Sequence, residues 1–462
     1  IINITNFFFI MFDKINLPIA KEKKTKFNLR NHIIATGEMG QLFPVRQIEV
    51  VPGDEFDIDV EMFSRTAPLA VPTFGSVKFT TRAFFVPNRL SYGFWNEFIT
   101  QKTILVSGAP FNPVIPQITN SDIVAYFMTT SYGLMTLVSN SSSPHDVCVV
   151  SQANVPIGYY NFTNKGRYWL KVFNALGYKF NFVYDTNNSS SDFNPSYSLL
   201  PLLAFLRVYY DYYLPSQYIE GSPLTDYLNE IKLGHTVAVS SLYHVLDQIQ
   251  LTYDNDYFVS AWQYPLAVLN GQAFSNRSDL LGGNFHQETL DSSHTQIRST
   301  TYNGTTAYNN LTNWSISMAQ KLANYIIRNN YAGSRAVEQI LSRFGIKVPD
   351  MEIQRSVHFG TSVSNLQIMD VTNVAESQSS PLGSYGAKAI GFDKGKKMHI
   401  SCKEHGYIVL LCSIMPETSH GFEGFDRSIM KVSPFDFFTP EFDRSIMQPV
   451  FSGELISNYK GS

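Results

Sequence analysis

The chain has 462 residues, a formal net charge of −3, 44% hydrophobic residues and only 16% charged residues. This length suits one large or two ordinary domains with a sizeable core, and the near-neutral charge excludes a chain that is polycationic throughout. The three cysteines, Cys148, Cys402 and Cys412, are too few for a disulfide framework and indicate folding in a reducing compartment. The 35 Phe and 26 Tyr leave two interpretations open: a surface covered by neighbouring copies, or a β-rich chain that uses aromatic residues as strand formers.

Residues 1–30 are predicted to form a mobile basic N-terminal arm. Its apolar start, 1–12, is too short to span a bilayer and lacks the features of a signal peptide, and Met11 is the expected natural start. An arm of this charge can follow a phosphate backbone, and a solvated tail is the equally weighted alternative. The candidate nucleic-acid-binding residues are Lys21, Lys23, Lys24, Lys26 and Arg30.

Two strands separated by a turn are predicted within residues 42–62. In the second strand, Phe56, Ile58 and Val60 alternate with acidic residues, as in a half-buried strand with an acidic outer face. Alternating carboxylates without a second cluster of ligands indicate a solvated face rather than a metal site.

The segment 74–96 reads FGSVKFTTRAFFVPNRLSYGFWN and begins as a strand. Apolar residues at every second position predict that one side of this strand is buried. Pro87 ends the strand because it cannot donate to a ladder, and an aromatic segment containing Trp95 follows.

From residue 101 to residue 330 the periodicity is weak, and long excursions are expected. The stretch 132–197 is rich in Ser, Asn and Tyr, and the polar stretch 271–313, which is poor in aliphatic residues, is expected to be a long exposed excursion. Between them, Leu199–Tyr213 predicts a helix after Pro201, with Arg207 and Asp211 paired at positions i and i+4.

The last third of the chain predicts helices and strands in alternation. Helices are expected over 315–328 and from Ser334 to Gly345, a strand around Leu366–Val371, and a fully buried strand over 406–415. The glycine-rich basic stretch 383–397 is predicted to be a mobile surface loop, with phosphate contact as the less favoured alternative.

No catalytic or metal-binding motif emerges from the sequence. The candidate ligands His399, Cys402 and His405 are three residues apart, and on a strand such residues point to opposite faces. We therefore expect no catalytic residue, no metal and no cofactor.

The order of a strand, Val-Pro-Asn-Arg at 86–89 and an aromatic segment resembles the major capsid proteins of microviruses, which are small single-stranded DNA phages. Further matches in the same order support a resemblance to the gokushovirus-like branch. They are VVPGDEF at 50–56, the block 200–213, DYFVSA at 256–261, the segment 333–360, EHGY at 404–407, FDFFTPEF at 435–442 and GEL at 453–455.

Three departures from the family pattern stand out. Ser356-Val357-His358 replaces a Pro-Glu-Tyr, the stretch 132–197 has no counterpart, and the family continues well past the position of Ser462. The last departure leads us to expect a truncated or degenerate copy.

The resemblance implies a mainly β fold, an antiparallel eight-stranded viral jelly roll with long helix-containing insertions. The first part of the jelly roll would be 31–100, the insertions 101–330 with an outward protrusion at 271–313 or 132–197, and the helix and second part 331–462. The implied role is a structural protein of the virion that self-assembles, in the host bacterial cytoplasm, into an icosahedral shell around circular single-stranded DNA.

The expected partners are further copies of the chain, the viral DNA, small DNA-binding or scaffolding proteins, and a host receptor bound through the protrusion, with no membrane. Aromatic residues are the candidate anchors of the subunit interface: Trp95, Tyr209, Tyr210, Phe437 and Phe438. The alternative from another class is a jelly-roll carbohydrate-binding protein or glycan-active enzyme that uses the carboxylate pair Asp57 and Asp59.

Overall fold

The fold is taken from a computed structural model. It describes residues 25–66, 76–106, 109–138, 145–150, 156–180, 182, 195–215, 222–233, 242, 245–246, 249–254, 256–258, 288–290, 297–299, 321, 336–350, 354–372, 385–418, 424–432, 434–437, 440 and 450–455. The chain divides into two compact units, Ile1–Thr36 and Gly37–Ser462. In the first unit, residues 25–36 are exposed and have no regular secondary structure.

All regular structure described below belongs to the second unit. The strands are β1 (Leu42–Val50), β2 (Glu55–Ile58), β3 (Glu61–Arg65), β4 (Val77–Pro87), β5 (Ile104–Val106), β6 (Ala109–Phe111), β7 (Gln117–Thr119), β8 (Met135–Val138), β9 (Val147–Val150), β10 (Pro156–Phe162), β11 (Ser196–Ser198), β12 (Glu288–Leu290), β13 (Ile297–Ser299), β14 (Val357–Thr372), β15 (Tyr385–Lys394), β16 (Met398–Ser401) and β17 (Gly406–Pro416). The α-helices are α1 (Asn88–Ser91), α2 (Trp95–Ile99), α3 (Asn120–Met128), α4 (Asn164–Ala175), α5 (Leu200–Val208), α6 (Pro223–Lys232) and α7 (Ala336–Phe344), and a π-helical turn, Tyr209–Tyr213, follows α5 directly.

A six-stranded sheet forms the centre of this unit, in the order β1-β17-β4-β14-β15-β3. Every strand pair that the structure describes is antiparallel. In this order the first strand, β1, lies beside the last, β17, so the sheet joins distant parts of the chain. The prediction of a mainly β fold with antiparallel sheets is confirmed.

One edge of the sheet continues into a ribbon that folds over its face. Strand β3 pairs with β15 at the sheet edge, and the preceding β2 pairs with the following β16 as a separate two-stranded sheet. Met398 and Ile58 of this ribbon pack on Ala83 and Leu410 of the main sheet. The second strand predicted from sequence is thus two strands that belong to different sheets.

Strands β4 and β17 are buried on both faces over most of their length. Phe84 and Val86 pack with the helical layer on one face, whereas Phe85 packs with Ile408 under the ribbon on the other. The two-sided burial of β17 was predicted from its continuous apolar run. The half-buried pattern predicted for β4 holds only in its first half, since from Ala83 onward every residue is buried.

Helices from the middle of the chain cover the other face of the sheet. Helix α3 begins at a capping box, in which Thr119 accepts from the backbone N–H of Asp122 at 3.2 Å and Asp122 accepts from that of Thr119 at 3.2 Å. Thr163 caps α4 by accepting from Gly166 at 3.1 Å. Apolar residues of these helices and of α5 and α6 form the largest core together with the sheet.

The C-terminal third differs from its prediction at one stretch. Residues Tyr385–Lys394 form β15, so the prediction of a mobile loop over 383–397 is wrong. Its glycines serve close packing instead: Gly391 is buried, and a Cβ there would lie 2.8 Å from Oγ of Ser64. Helix α7 is confirmed and ends at Phe344, and the following Gly345 has a φ of +69°, which suits the residue after a helix C-terminus. The helix predicted over 315–328 lies outside the described residues, apart from Lys321.

Candidate subunit interface

Among the large apolar side chains that are exposed in the described part of the second unit, three groups contain strongly exposed residues close together or at the end of an element. One is the sheet edge, with Phe63 and Phe392; another is α7, with Phe344; the third is the C-terminal segment, with Val432 and Phe437. Neighbouring exposed apolar side chains on a folded chain are candidates for a surface that another molecule covers.

At the sheet edge, the two aromatic residues face each other across a strand pair. Phe63 on β3 lies directly opposite Phe392 on β15, and the side chains are 66% and 73% exposed. Val363, which is also exposed, shares this face because it lies two positions from the β14 residue that would pair with Phe392. The sequence could have revealed this exposed ring. Phe63 occupies a position of the strand alternation in 55–65 at which all the other residues are charged.

The predicted anchors Trp95 and Tyr210 are half-buried and pack against the main core. The Trp95 ring lies 5.8 Å from that of His405, and the guanidinium of Arg207 lies 5.3 Å above the ring of Tyr210. Each leaves part of its ring at the surface, so a role in subunit contacts stays a prediction for both.

Tyr209 needs a correction. Its side chain is 1% exposed, and its hydroxyl donates to the carbonyl of Gln250 at 3.0 Å within the same chain. Burial raises the pKa of this hydroxyl above its ordinary value. A residue with no free surface cannot anchor a neighbour, so we assign Tyr209 to the subunit core.

Phe437 is 57% exposed, and the Lys431 ammonium lies 5.5 Å from its ring centre. Phe438 lies outside the described residues. A contact of Phe437 with a neighbouring subunit therefore stays a prediction.

The basic arm is only partly described. Lys26 and Arg30 are exposed in a segment without regular structure, whereas Lys21, Lys23 and Lys24 lie outside the described residues. The same segment exposes the apolar residues Phe27 and Ile34. The described part of the arm thus exposes apolar as well as basic side chains.

A buried polar clamp joins the π-helical turn to the start of β14, and sequence reasoning found only half of it. The predicted pair exists, with Arg207 Nε 3.2 Å from Asp211 Oδ2. The same carboxylate oxygen also accepts from Ser356 twice, from its backbone N–H at 2.9 Å and from its hydroxyl at 2.6 Å.

Neighbouring groups extend this clamp. Arg355 donates to the backbone carbonyl of Asp211 at 2.6 Å, and its guanidinium lies 3.8 Å above the ring of Tyr212. Tyr212 in turn donates to Asp350 at 3.1 Å. Together these contacts fix the helical layer to the strand at the centre of the sheet.

The carboxylates of the glycan alternative do not form an isolated pair. Asp57 Oδ1 lies 2.8 Å from Nδ1 of His399, its cross-strand partner, and both Asp57 and Asp59 are exposed. Within the described residues, no group of three or more His, Cys, Asp or Glu side chains could hold a metal ion. Burial raises the pKa of the Cys402 and Cys412 thiols to about 11, so neither is a thiolate at neutral pH.

In the described part of the chain, no helix combines the length and hydropathy needed to cross a membrane.

The antiparallel sheets place the chain in the class of mainly β proteins, with exposed phenylalanines at one sheet edge. Comparison with known proteins identifies the family: the family model "Capsid protein (F protein)" matches residues 16–145 and 247–461, well over half of the chain. The chain belongs to this family of phage capsid proteins, which confirms the predicted resemblance to microvirus major capsid proteins.

Two curated relatives are similar over nearly the whole length. Capsid protein VP1 of Chlamydia phage 1 is 25% identical over 95% of this chain and 78% of its own length. Capsid protein VP1 of Bdellovibrio phage phiMH2K is 22% identical, with the same coverage of both chains.

The family determines the general role. It is a structural family, as expected, and its members are subunits of oligomeric shells and components of the virion. The glycan-active alternative is therefore wrong.

Proposed function

We propose that this chain is the subunit of an icosahedral, T=1-like shell that self-assembles around circular single-stranded DNA, and that its core is an eight-stranded jelly roll. The observation that carries the proposal is the packing of a six-stranded and a two-stranded antiparallel sheet face to face. Together they hold eight strands, the number in a jelly roll, and the neighbourhood of β1 and β17 is typical of Greek-key connections.

Self-assembly is tested by expressing the full-length chain and measuring its sedimentation. We expect closed particles that protect single-stranded DNA from nuclease. A chain that stays small at every salt and protein concentration would contradict the proposal. Particles that form without protected DNA would support the shell and contradict its role in enclosing the genome.

We propose that the basic arm contacts the DNA from inside the shell. Exchange of Lys21, Lys23, Lys24 and Lys26 for Ala should lower the slope of log K against log salt by about 3, because each contact with single-stranded nucleic acid contributes about 0.7. The matched control exchanges four exposed lysines of the second unit for Ala, namely Lys102, Lys179, Lys232 and Lys347, which changes the net charge equally. An unchanged slope in the arm variant, or an equal change in the control, would contradict the assignment.

For the outward protrusion we favour 271–313 over 132–197. Much of the second stretch is core: Trp169, Phe173 and Tyr178 are buried, and Tyr168 on α4 donates to the carbonyl of Leu42 on β1. Nearly all of 271–313 lies outside the described residues. Limited proteolysis of assembled particles should cut within 271–313 first, and initial cleavage within 132–197 would contradict this choice.

Host contacts and assembly factors complete the proposal. We expect the protrusion to bind a host receptor, and small DNA-binding or scaffolding proteins to act during assembly in the host bacterial cytoplasm.

A further inference from the structure

Strand β3 is an open edge in the part of the sheet that the structure describes. It pairs with β15 on one side, and no described strand lies on the other. An open edge presents unpaired backbone N–H and C=O groups that a further strand can use.

The hydrogen bonds that flank β3 show which residues present those groups. Gly395 donates to the carbonyl of Val60 at 2.8 Å, and Thr66 donates to that of Ala389 at 3.0 Å. In an antiparallel pair, alternate residues direct their backbone groups to the partner strand. The even-numbered residues of β3 thus bond to β15, while Glu61, Phe63 and Arg65 direct their N–H and C=O groups outward.

The exposed side chains of this edge are arranged symmetrically about Phe63. Glu61 lies two residues before it and Arg65 two residues after it, and all three are exposed. A strand with an acid at one end, a base at the other and an aromatic residue at its centre is complementary to itself when it is reversed.

We propose that β3 pairs with β3 of a second copy of this chain, antiparallel and across a two-fold axis that passes beside Phe63. In this register Phe63 faces its own counterpart, and Glu61 of each copy faces Arg65 of the other. Glu61, Phe63 and Arg65 each exchange two backbone hydrogen bonds with the residue opposite. The pairing therefore uses the N–H and C=O groups that β3 directs away from β15. This proposal deepens the shell assembly proposed above and rests on it.

The pairing also covers the aromatic face of the edge. Residues directly opposite each other in a sheet project to the same face. The rings of Phe392 and Phe63 from each copy would form a continuous row of four across the junction. An edge with 66% and 73% exposed phenylalanines on a lone subunit invites aggregation, and isologous pairing removes it.

Disulfide trapping tests this register directly. Directly opposite residues in a hydrogen-bonded pair have Cα atoms about 5.5 Å apart, within the range of about 4.4–6.8 Å that a disulfide spans. Phe63→Cys should therefore cross-link two copies under mild oxidation. The matched control, Phe392→Cys, is as exposed but lies three strand spacings, about 14 Å, from its counterpart, so it should not cross-link.

The readout is non-reducing electrophoresis of assembled and unassembled material, with the unsubstituted chain as the baseline. We expect dimers from Phe63→Cys well above those from Phe392→Cys. Dimers without particles would support the pairing and contradict the shell. Phe63→Cys that stays monomeric, or cross-links no more than Phe392→Cys, would overturn the pairing, and particles formed without such dimers would leave the shell intact.

A charge exchange provides a second test that does not depend on thiols. Arg65→Glu places like charges opposite each other, and adding Glu61→Arg restores opposite charges across the axis. We expect the first variant to assemble at least tenfold less efficiently at low salt. The double variant should recover in part only, because Glu61 also lies 3.6 Å from Lys394 of its own chain and Glu61→Arg makes that contact a like-charge pair. Equal assembly of all three chains would overturn the register, and so would capture of the edge by a different peptide in place of a second copy.

Discussion

Removing the carboxylate of Asp211 should weaken the attachment of the helical layer to the sheet. This oxygen is the acceptor for both donors of Ser356, a residue that is 0% exposed, and for the guanidinium of Arg207. Asp211→Ala leaves a buried N–H without an acceptor, which costs about 1–3 kcal/mol, and leaves a mostly buried cation without its partner. Arg207 keeps its bond to the Gln354 carbonyl at 3.1 Å, which limits the loss. We expect a total of about 3–5 kcal/mol, the range for breaking a buried ion pair.

Urea unfolding of the unassembled subunit, followed by tryptophan fluorescence, measures this cost. Ser356→Ala is the matched control because it removes only the hydroxyl bond, and it should cost about 1 kcal/mol. Asp211→Asn, which keeps the shape but not the charge, should fall between the two. A cost for Asp211→Ala no greater than that for Ser356→Ala would refute the reasoning.

Three further predictions concern single residues. Cys402 and Cys412 should resist alkylation at pH 8 until the chain is unfolded in urea, because both thiols are buried with pKa values of about 11; since the chain also contains Cys148, labelling is read residue by residue by peptide mass mapping, and rapid labelling of Cys402 or Cys412 in the native subunit would contradict their burial. Partial desolvation of the ring against Phe84 and Tyr212, followed by the charge of Arg82, holds the pKa of His358 below its ordinary 6.5, so between the folded-state pKa and 6.5 the unfolded chain binds more protons than the folded chain. The stability of the subunit should fall as the pH drops from 6.5 through the folded-state pKa, and His358→Gln should flatten this dependence; an unchanged slope in the variant would refute the assignment. Gly406→Ala should destabilise β17 by about 1–3 kcal/mol, since a Cβ there would lie 2.4 Å from the carbonyl oxygen of Val86; an unchanged urea midpoint would contradict that close contact.

The strands that carry the fold could be predicted where local patterns decide them. The continuous apolar run at 406–415 predicted the position of β17, and Pro87 predicted where β4 ends. Helix α7 followed from its apolar spacing and from Gly345. In each case the signal lies within a few residues of the element itself.

The rest depends on contacts between residues far apart in sequence. The stretch 383–397 has many glycines and lysines, and only its pairing with β3 and β14 makes it a strand. Helix α4 was missed although Trp169, Val172, Phe173 and Leu176 have helical spacing, because the surrounding stretch is polar.

At the candidate interface, too, local sequence predicted some features, and contacts between distant residues determined the others. Composition indicated that aromatic residues would meet a neighbour, but it could not separate Tyr209, which packs inside the subunit, from Phe63, which does not. Likewise, Arg207 and Asp211 were predicted as a local pair, whereas their link to Ser356 spans 145 residues of sequence.

Electron microscopy of particles assembled from the full-length chain tests the central claim most directly. We expect closed shells with icosahedral symmetry, in which the antiparallel sheets of each subunit form the wall. Open aggregates, or a chain that remains monomeric at high concentration, would contradict the account.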